Sequence, residues 1–211
     1  MYKLYSEKIS FLDDTSVYNK CYNFLSNDRK DKVDAYRFDM DKKRALLVDF
    51  LLRKALKEKK LIDDDYKISY HNNEYGKPYL KDFNDVFFNF SHSGEYGICV
   101  VSDNEIGCDI ELIKDIDFGI AKRFFTKNEY ESIESVVDLK EKNNLFFRYW
   151  TIKESYIKAL GLGLSKMLND FEVIIYKNNI IVDDKNTESG YKIEEIKDIE
   201  GYKVAICEKI K

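Results

Sequence analysis

The sequence has little proline or glycine and no long apolar run. One proline and nine glycines in 211 residues are too few for a low-complexity linker or a disordered tail. No apolar stretch approaches the roughly 20 residues that cross a bilayer, and the first residues lack the apolar core of a signal peptide. We therefore expect a packed globular protein that acts in the cytoplasm without membrane contact.

Cysteine is also scarce, and its spacing is uninformative. The four cysteines show no C-x-x-C pattern, and a chain of this length folds without disulfide bonds. None stands in a pattern that would lower its pKa and pair it with a histidine, which disfavours a cysteine nucleophile. Reduced thiols are the simplest expectation.

Positive charge is not in excess. The sequence contains 35 Lys and Arg residues against 39 Asp and Glu residues, for a net charge of -4. Because nucleic-acid binders usually carry a basic excess, this balance disfavours a nucleic-acid partner. A locally basic stretch does run from residue 29 to residue 44. Solvated helix faces explain most such stretches, although a ligand with several phosphates would also require them.

Apolar periodicity predicts a mixed α and β protein. Helices are predicted at residues 41–56, 118–125, 128–137 and 145–160. Strands are predicted at residues 66–70, 86–90, 96–101, 105–111, 171–176, 180–183, 191–196 and 202–208, with a turn at residues 91–94. Both halves thus run from a long helix into antiparallel strands. We expect a duplicated α+β unit with a boundary near residues 102–106.

Three acidic residues and a lysine stand at spacings that can bring them together. Asp109 and Glu111 alternate with apolar residues, so they share one face of a predicted strand. Glu154 and Lys158 are four residues apart on a predicted helix and also share a face. Together these groups could hold a divalent cation against a phosphate ester. The commoner explanations are the polar face of an edge strand and a surface ion pair worth about 0.3 kcal/mol.

Two further positions bear on the choice between these explanations. Lys153 stands where the apolar stripe of the same helix should continue, and a buried charge there is costly unless it is paired or bound to an ion. His92 lies in a Ser-His-Ser-Gly turn that could present hydroxyls, N–H groups and an imidazole to an anion. A histidine in a solvated loop is about equally expected at that position. His71 has no supporting neighbours and is interpreted as a surface residue.

Three passages together resemble the phosphopantetheinyl transferases of the long, surfactin-synthetase-activating type. The first pairs E-Y-G-K-P at residues 74–78 with F-N-F-S-H-S-G at 88–94. The others are I-G-C-D-I-E at residues 106–111 and W-T-I-K-E-S-Y-I-K at 150–158. Their order and separations match that family. The similarity extends over nearly the whole chain, and the segments at residues 121–125 and 201–207 resemble further family segments.

The resemblance implies a pseudo-twofold α+β fold. It implies an N-terminal half of residues 1–104 that contacts the nucleotide of coenzyme A, and a C-terminal half of residues 105–211 that holds the metal and docks the carrier protein. The implied ligands of Mg²⁺, or of Mn²⁺ in its place, are Asp109, Glu111 and Glu154. The implied contacts to coenzyme A are Arg29, Lys32, Arg44, Lys77, Ser91, His92 and Lys158, of which the first three would hold the 3′-phosphate.

The implied activity is a Mg²⁺-dependent transfer of the 4′-phosphopantetheine arm of coenzyme A. The acceptor would be a serine hydroxyl of an apo acyl or peptidyl carrier protein, and adenosine 3′,5′-bisphosphate would leave. Glu154 would be the base, directly or through a metal-bound water, and Lys158 would stabilise the transferring group. Lys153 or Lys158 in a neutral form are the alternative bases. We expect a monomer whose docking surface lies near residues 113–130.

Two other classes of function compete with this interpretation. A Mg²⁺-dependent nuclease also uses a D-x-E pair and a lysine, but the acidic net charge opposes it. A non-catalytic carrier-protein binder would be expected to lack an acid or a lysine of the motifs, and all are present. The carrier protein itself, whether of fatty-acid, polyketide or nonribosomal peptide synthesis, does not follow from the sequence.

Overall fold

The structure, a computed structural model, describes residues 1–177, 179–187 and 190–210. The helices are α1 (Thr15–Asn23), α2 (Asn27–Asp34), α3 (Asp39–Glu58), α4 (Gly119–Phe124), α5 (Lys127–Glu134) and α6 (Leu139–Leu160). The strands are β1 (Lys3–Lys8), β2 (Tyr70–Asn72), β3 (Pro78–Leu80), β4 (Phe87–Ser93), β5 (Tyr96–Ser102), β6 (Ile106–Leu112), β7 (Glu172–Tyr176), β8 (Asn179–Asp183), β9 (Tyr191–Ile196) and β10 (Tyr202–Lys209). Among these helices, none has the length and apolar content that a membrane crossing requires.

The mixed α and β character is confirmed, and each half combines a long helix with an antiparallel sheet. The sheet orders are β1-β5-β4 in the first half and β6-β10-β9 in the second. Helix α3 packs on β5, and α6 packs on β6 and β10. Two short hairpins, β2-β3 and β7-β8, complete the strands. The two halves therefore share one plan, although β1 was not predicted.

Two predictions of local structure were wrong. The predicted strand at residues 66–70 is irregular except for Tyr70, which begins β2. The backbone of Tyr66 is instead held by side chains: its N–H donates to the carboxylate of Asp63, and its carbonyl accepts a hydrogen bond from Arg53. The predicted turn at residues 91–94 is mostly strand, since Ser91 and Ser93 pair with β5 opposite Ile98 and Tyr96. The chain reverses only at Gly94, whose φ of 54° lies in the left-handed region.

Helix α6 begins at Leu139, before the predicted start at residue 145, and it ends before Gly161 as predicted. Asp138 caps its first turn by accepting the N–H of Glu141 at 2.9 Å. Gly161 follows its last residue with a φ of 72°, the left-handed conformation that commonly ends a helix. The result is a helix of 22 residues whose C-terminal turns lie between the two halves.

The halves meet along β4 and β6, which belong to separate sheets. Side chains of β4 connect the two strands: Asn89 Oδ1 accepts the N–H of Cys108 at 3.1 Å, and Ser93 Oγ accepts the N–H of Leu112 at 3.1 Å. Behind this seam lies an apolar cluster of buried residues from both halves. Its members are Ile98, Val100, Ile106, Cys108, Ile110, Val204 and Ile206.

Helix α6 lies directly on the backbone of β6 at Gly107. A Cβ atom at this position would overlap the carbonyl oxygen of Ser155 and the nitrogen of Ala159, and it would lie 2.9 Å from the carbonyl carbon of Lys158. Only glycine leaves room for this approach. The close packing of α6 on β6 brings Lys158 beside Asp109, the residue two positions after the glycine.

Gly107→Ala should therefore destabilise the protein by about 2 kcal/mol or more, because the helix backbone must move away from the strand. Urea denaturation measures the change in the free energy of unfolding. Gly190→Ala is the control, since a Cβ there meets Ile210 at an ordinary 3.5 Å. The control should change stability by less than about 0.5 kcal/mol. A similarly small change for G107A would show that α6 does not depend on this contact.

Candidate active-site cleft

A cleft opens where β4, β6 and the last turns of α6 converge. Its volume is about 360 Å³, and its lining residues are Phe90, Ser91, His92, Asp109, Glu111, Trp150, Glu154 and Lys158. A larger and more apolar cavity of about 630 Å³ adjoins it and shares Phe90, Trp150, Glu154 and Lys158. The charged cleft and the apolar cavity thus form one continuous space with two chemical characters.

The centre of the cleft is a cluster of two buried residues, Ser91 and Asp109, and the partly exposed Lys158. Lys158 Nζ donates to Asp109 Oδ1 at 2.6 Å and to Ser91 Oγ at 3.1 Å, and the Ser91 hydroxyl donates to the same carboxylate oxygen at 2.8 Å. Asp109 is 3% exposed. Its second oxygen, Oδ2, is buried and accepts no hydrogen bond within the described residues. A buried carboxylate oxygen without a partner is costly and fits a cationic ligand.

Two further carboxylates face the same cleft. Burial raises the pKa of Glu111; the charge of Asp109 adds to this rise, while a hydrogen bond from Ser93 Oγ at 2.7 Å opposes it. Burial also raises the pKa of Glu154, opposed by Lys158 and increased by Asp109 and Glu111. Repulsion between neighbouring carboxylates thus contributes to the raised pKa of Glu111 and of Glu154, and a bound cation would relieve it.

The two lysines that could have served as bases are both paired. Burial acts to lower the pKa of Lys158, but its neighbours together, chiefly Asp109, outweigh this effect and the pKa is raised, so this side chain stays a cation. Lys153 is fully buried and pairs with Glu129 at 2.7 Å, and neither of these two side chains lines the cleft. The geometry therefore favours Glu154 over either lysine as a proton acceptor.

His92 and Arg44 lie at the mouth of the cleft near the turn between β4 and β5. Desolvation by the cleft walls and the positive charges of Arg44 and Lys158 lower the pKa of His92, although part of its ring reaches solvent. Arg44 donates to the carbonyl of Gly94 at 3.1 Å and pairs with Asp41 at 2.9 Å. Its Nε is buried and has no hydrogen-bond partner within the described residues.

A separate basic pocket contains the other predicted nucleotide contacts, Arg29 and Lys32. It has a volume of about 300 Å³ and lies between α2 and the β2-β3 hairpin. Arg29 donates through Nε to the buried carboxylate of Asp49 at 3.0 Å, so much of its charge is neutralised inside the protein. Lys32 is exposed at the pocket wall, and so is Lys81, which no sequence pattern identified.

Lys77 is bound into the protein more tightly than predicted. Its Nζ donates to Glu105 at 2.7 Å and to the carbonyl oxygens of Ala159 at 3.0 Å and Ile106 at 3.3 Å. These three contacts use all the donors of an ammonium group. Lys77 therefore ties the β3 side of the cavity to the end of α6, and its ammonium would reach a nucleotide only by leaving Glu105.

The predicted metal ligands share the cleft without forming a ready-made cage. No three His, Cys, Asp or Glu side chains in the described part of the chain stand close enough to hold one metal ion. The donor set nevertheless fits a hard divalent cation, because it consists of carboxylate oxygens and includes the unpartnered Oδ2 of Asp109. Holding a metal ion there would require the carboxylates to turn toward a common point.

Two other residues that line or support the cleft were not predicted as site residues. Ser93 orients Glu111, and its place two residues after Ser91 on one strand face is the signal that could have identified it. Trp150 lines both the cleft and the cavity. Lys81 has no comparable local signal, because only the fold brings it beside Lys32.

Comparison with known proteins finds one family along the chain. Residues 14–104 match the family model "4′-phosphopantetheinyl transferase, N-terminal", and residues 105–207 match the "4′-phosphopantetheinyl transferase superfamily". The chain is 40% identical over 190 residues to the 4′-phosphopantetheinyl transferase gsp of Aneurinibacillus migulanus, covering 88% of this chain and 78% of that protein. It is 36% identical to Sfp of Bacillus subtilis, covering 88% and 82%, and 33% identical to ffp of the same species, covering 98% and 91%.

Replacing Glu154 by glutamine should raise the free energy of unfolding at neutral pH in a buffer without divalent cations. Burial raises the pKa of this carboxyl in the folded protein, so its ionisation opposes folding above that pKa. As the pH falls through the raised pKa, the wild-type carboxyl becomes protonated and the difference between the two proteins should disappear. Urea denaturation from neutral pH to about pH 4, near the unfolded pKa of glutamate, measures this.

The exposed residue Glu200 supplies the matched control for this measurement. Glu200→Gln should leave the stability of the protein nearly unchanged across the same pH range. Equal stability of E154Q and the wild type at neutral pH would show that burial of the ionised Glu154 carboxylate does not destabilise the folded protein.

Proposed function

Because this chain belongs to the 4′-phosphopantetheinyl transferase superfamily, we propose that it moves the 4′-phosphopantetheine arm of coenzyme A to a serine hydroxyl of an apo acyl or peptidyl carrier protein. The observation that carries this assignment is the Ser91-Asp109-Lys158 cluster in a cleft with Glu111 and Glu154. The cleft combines the fixed ammonium of Lys158 with carboxylates that favour a bound metal cation. Stabilising a diphosphate requires such positive charges.

The reaction is a substitution at one phosphorus atom. The serine Oγ bonds to the β-phosphorus, which bears the pantetheine arm, and the bond from this phosphorus to the oxygen bridging the diphosphate breaks. The electron pair leaves with adenosine 3′,5′-bisphosphate, and the serine proton passes to a base. Such transfers depend mainly on positioning and on stabilising charge around the transferring group.

Lys158 provides the permanent positive charge in this scheme. Its ammonium is fixed by Asp109 and Ser91, so it needs little reorganisation when charge grows on the phosphoryl group. Its raised pKa supports a role as a cation and argues against a role as a base. The third donor of the ammonium remains for a phosphate oxygen.

Glu154 is the proposed base, because it lines the cleft and the adjoining cavity where the serine must enter. With Asp109 and Glu111 it would also hold the metal ion, Mg²⁺ or Mn²⁺, and its two oxygens allow both roles. When bound, the ion would neutralise charge on the diphosphate and orient it. The unpartnered Oδ2 of Asp109 supports this ligand set.

The nucleotide end of coenzyme A is proposed to reach the basic residues of the first half. Arg29, Lys32 and Arg44 would face the 3′-phosphate, and Ser91 and His92 would contact the phosphates nearer the cleft. Since Asp49 neutralises much of the Arg29 charge, Lys32 should contribute more of the binding energy. Lys77 would support the nucleotide site mainly by holding the cavity wall to α6.

The carrier protein is proposed to dock near residues 113–130. Helix α4 lies in this stretch; its Phe124 lines the cavity, and Ile120 is 38% exposed beside it. Both walls of the cleft come from one chain, which supports a monomer as the active form. Since coenzyme A and carrier proteins are cytoplasmic molecules, we propose that the enzyme acts in the cytoplasm.

Asp109→Asn should reduce kcat/KM at least about 100-fold while the protein still folds, because the variant loses a charge and keeps the shape of the side chain. The assay incubates the purified protein with coenzyme A, Mg²⁺ and a panel of apo carrier domains, and mass spectrometry detects the added arm. Circular dichroism and urea denaturation report folding. Near-normal transfer by D109N would refute the role of this carboxylate, and DNA cleavage without arm transfer by the wild type would favour a nuclease.

Lys32→Ala should raise the KM for coenzyme A about tenfold, the loss of one charge-assisted contact worth about 1.4 kcal/mol, with little change in kcat. With dephospho-coenzyme A, which lacks the 3′-phosphate, the variant and the wild type should behave alike. Lys30→Ala is the matched control, because Lys30 lies on the same helix over the ring of Tyr22. An equal effect of K32A on both substrates would place the 3′-phosphate elsewhere.

A further inference from the structure

Lys153 is a fully buried charge that the proposed reaction does not use. It is 0% exposed, and its Nζ donates to the carbonyl oxygens of Leu168 at 2.8 Å and Phe171 at 2.7 Å. Its remaining donor pairs with Glu129 Oε1 at 2.7 Å. All three N–H groups are therefore spent inside the protein, and none is available to a substrate.

Glu129 extends this contact to two further elements. The carboxylate is 1% exposed; its Oε1 also accepts the N–H of Val173 at 2.7 Å, and its Oε2 accepts the N–H of Thr126 at 2.9 Å. A single buried ion pair thus joins the start of α5, the middle of α6, the turn at Leu168–Asp170 and the start of β7. Each partner is fully satisfied, which a buried pair requires in order to be stable.

The pair lies on one side of α6 and the reacting groups on another. At 3.6 residues per turn, Glu154 is about 100° and Lys158 about 140° around the helix from Lys153. The Lys158-Asp109 contact holds the helix against β6, and the Lys153-Glu129 contact holds its neighbouring side against α5 and β7. Together the two contacts fix the rotation of α6 about its axis and its distance from the strands on which it packs.

The same pair positions one wall of the apolar cavity. Leu168, whose carbonyl Lys153 holds, lines that cavity together with Ile157 and Trp150 of α6. Releasing the carbonyl would remove the polar contact that ties the backbone at Leu168 to the helix. The cavity wall and the orientation of Glu154 therefore depend on one buried ammonium group.

We infer that Lys153 and Glu129 are positioning residues for the transfer reaction. Without contacting either substrate, they set the rotation of α6 so that Glu154 and Lys158 face the diphosphate and the incoming serine. The inference rests on the proposed function. Phosphoryl transfer is sensitive to such placement, because a shift of about 1 Å can cost about 100-fold in rate.

The test compares Lys153→Met with Arg148→Met on the same helix. Arg148 makes a two-bond ion pair with Glu195, at 2.7 and 2.6 Å, and does not line the cleft or the cavity. At a temperature where both variants are folded, K153M should lose at least about tenfold in kcat, whereas R148M should stay within about twofold of the wild type. The KM for coenzyme A should change less than kcat, because the basic pocket near α2 is untouched.

Trp150 gives a second readout that does not require activity. It is the only tryptophan of the chain and stands one helical turn before Lys153. Its emission maximum and its quenching by acrylamide should change in K153M and remain unchanged in R148M. If the wild type transfers no arm, the proposed function fails, and the fluorescence still decides whether the buried pair positions α6.

In K153M the buried carboxylate of Glu129 loses its partner, which can prevent folding, so a second variant is needed. The double variant Lys153→Met with Glu129→Gln contains no unpaired buried charge but still loses the contacts to Leu168 and Phe171. It should show the same loss of kcat and the same fluorescence change. A lower urea midpoint with wild-type kcat and wild-type quenching, in either variant, would reduce the pair to a purely structural role and overturn the inference.

Discussion

The functional geometry of this protein depends on the contact of a helix with a strand that lacks a side chain at the crossing point. Because Gly107 has no Cβ, the backbone of α6 lies directly on the backbone of β6. This approach brings an ammonium group from one element within 2.6 Å of a carboxylate from the other. A larger residue would separate them, and Coulomb attraction falls with distance while solvent screening increases. The arrangement of charged groups in the cleft thus depends on a steric requirement at an uncharged residue, Gly107.

Three lysines, two of them buried and one partly exposed, illustrate how pairing decides what a charged side chain can do. Lys77 and Lys153 each give every donor to a carboxylate and to backbone carbonyl oxygens, so they connect elements and offer nothing to a ligand. Lys158 bonds to one carboxylate oxygen and one hydroxyl, which leaves a donor for a substrate. Chemically identical ammonium groups therefore connect elements or act on a substrate, depending on whether any of their N–H donors remains without a partner.

The sequence predicted helices α3 to α6, but not α1 or α2, and it predicted the membership of the cleft better than the connections between distant residues. Spacing and family resemblance selected Asp109, Glu111, Glu154 and Lys158, and the structure brings all four into one cleft. Lys153 was recognised as a charge in an apolar stripe, but no local pattern could identify Glu129 as its partner. The Ser-His-Ser passage looked like a turn because its residues are small and polar, and pairing with β5 overrode that preference. Local periodicity carries no information about which distant segments pair with each other, and this pairing decides both cases.

The seam between the halves has a consequence for how the molecule can be divided. The hydroxyls of Ser91 and Ser93 on β4 donate to the carboxylates of Asp109 and Glu111 on β6, so both β6 acids of the cleft are oriented by a serine of the first half. Either half produced alone would expose the apolar cluster and leave a buried carboxylate without its donor. Although the two halves share one plan, neither holds a complete cleft by itself, and a substitution on β4 alters the acids of β6.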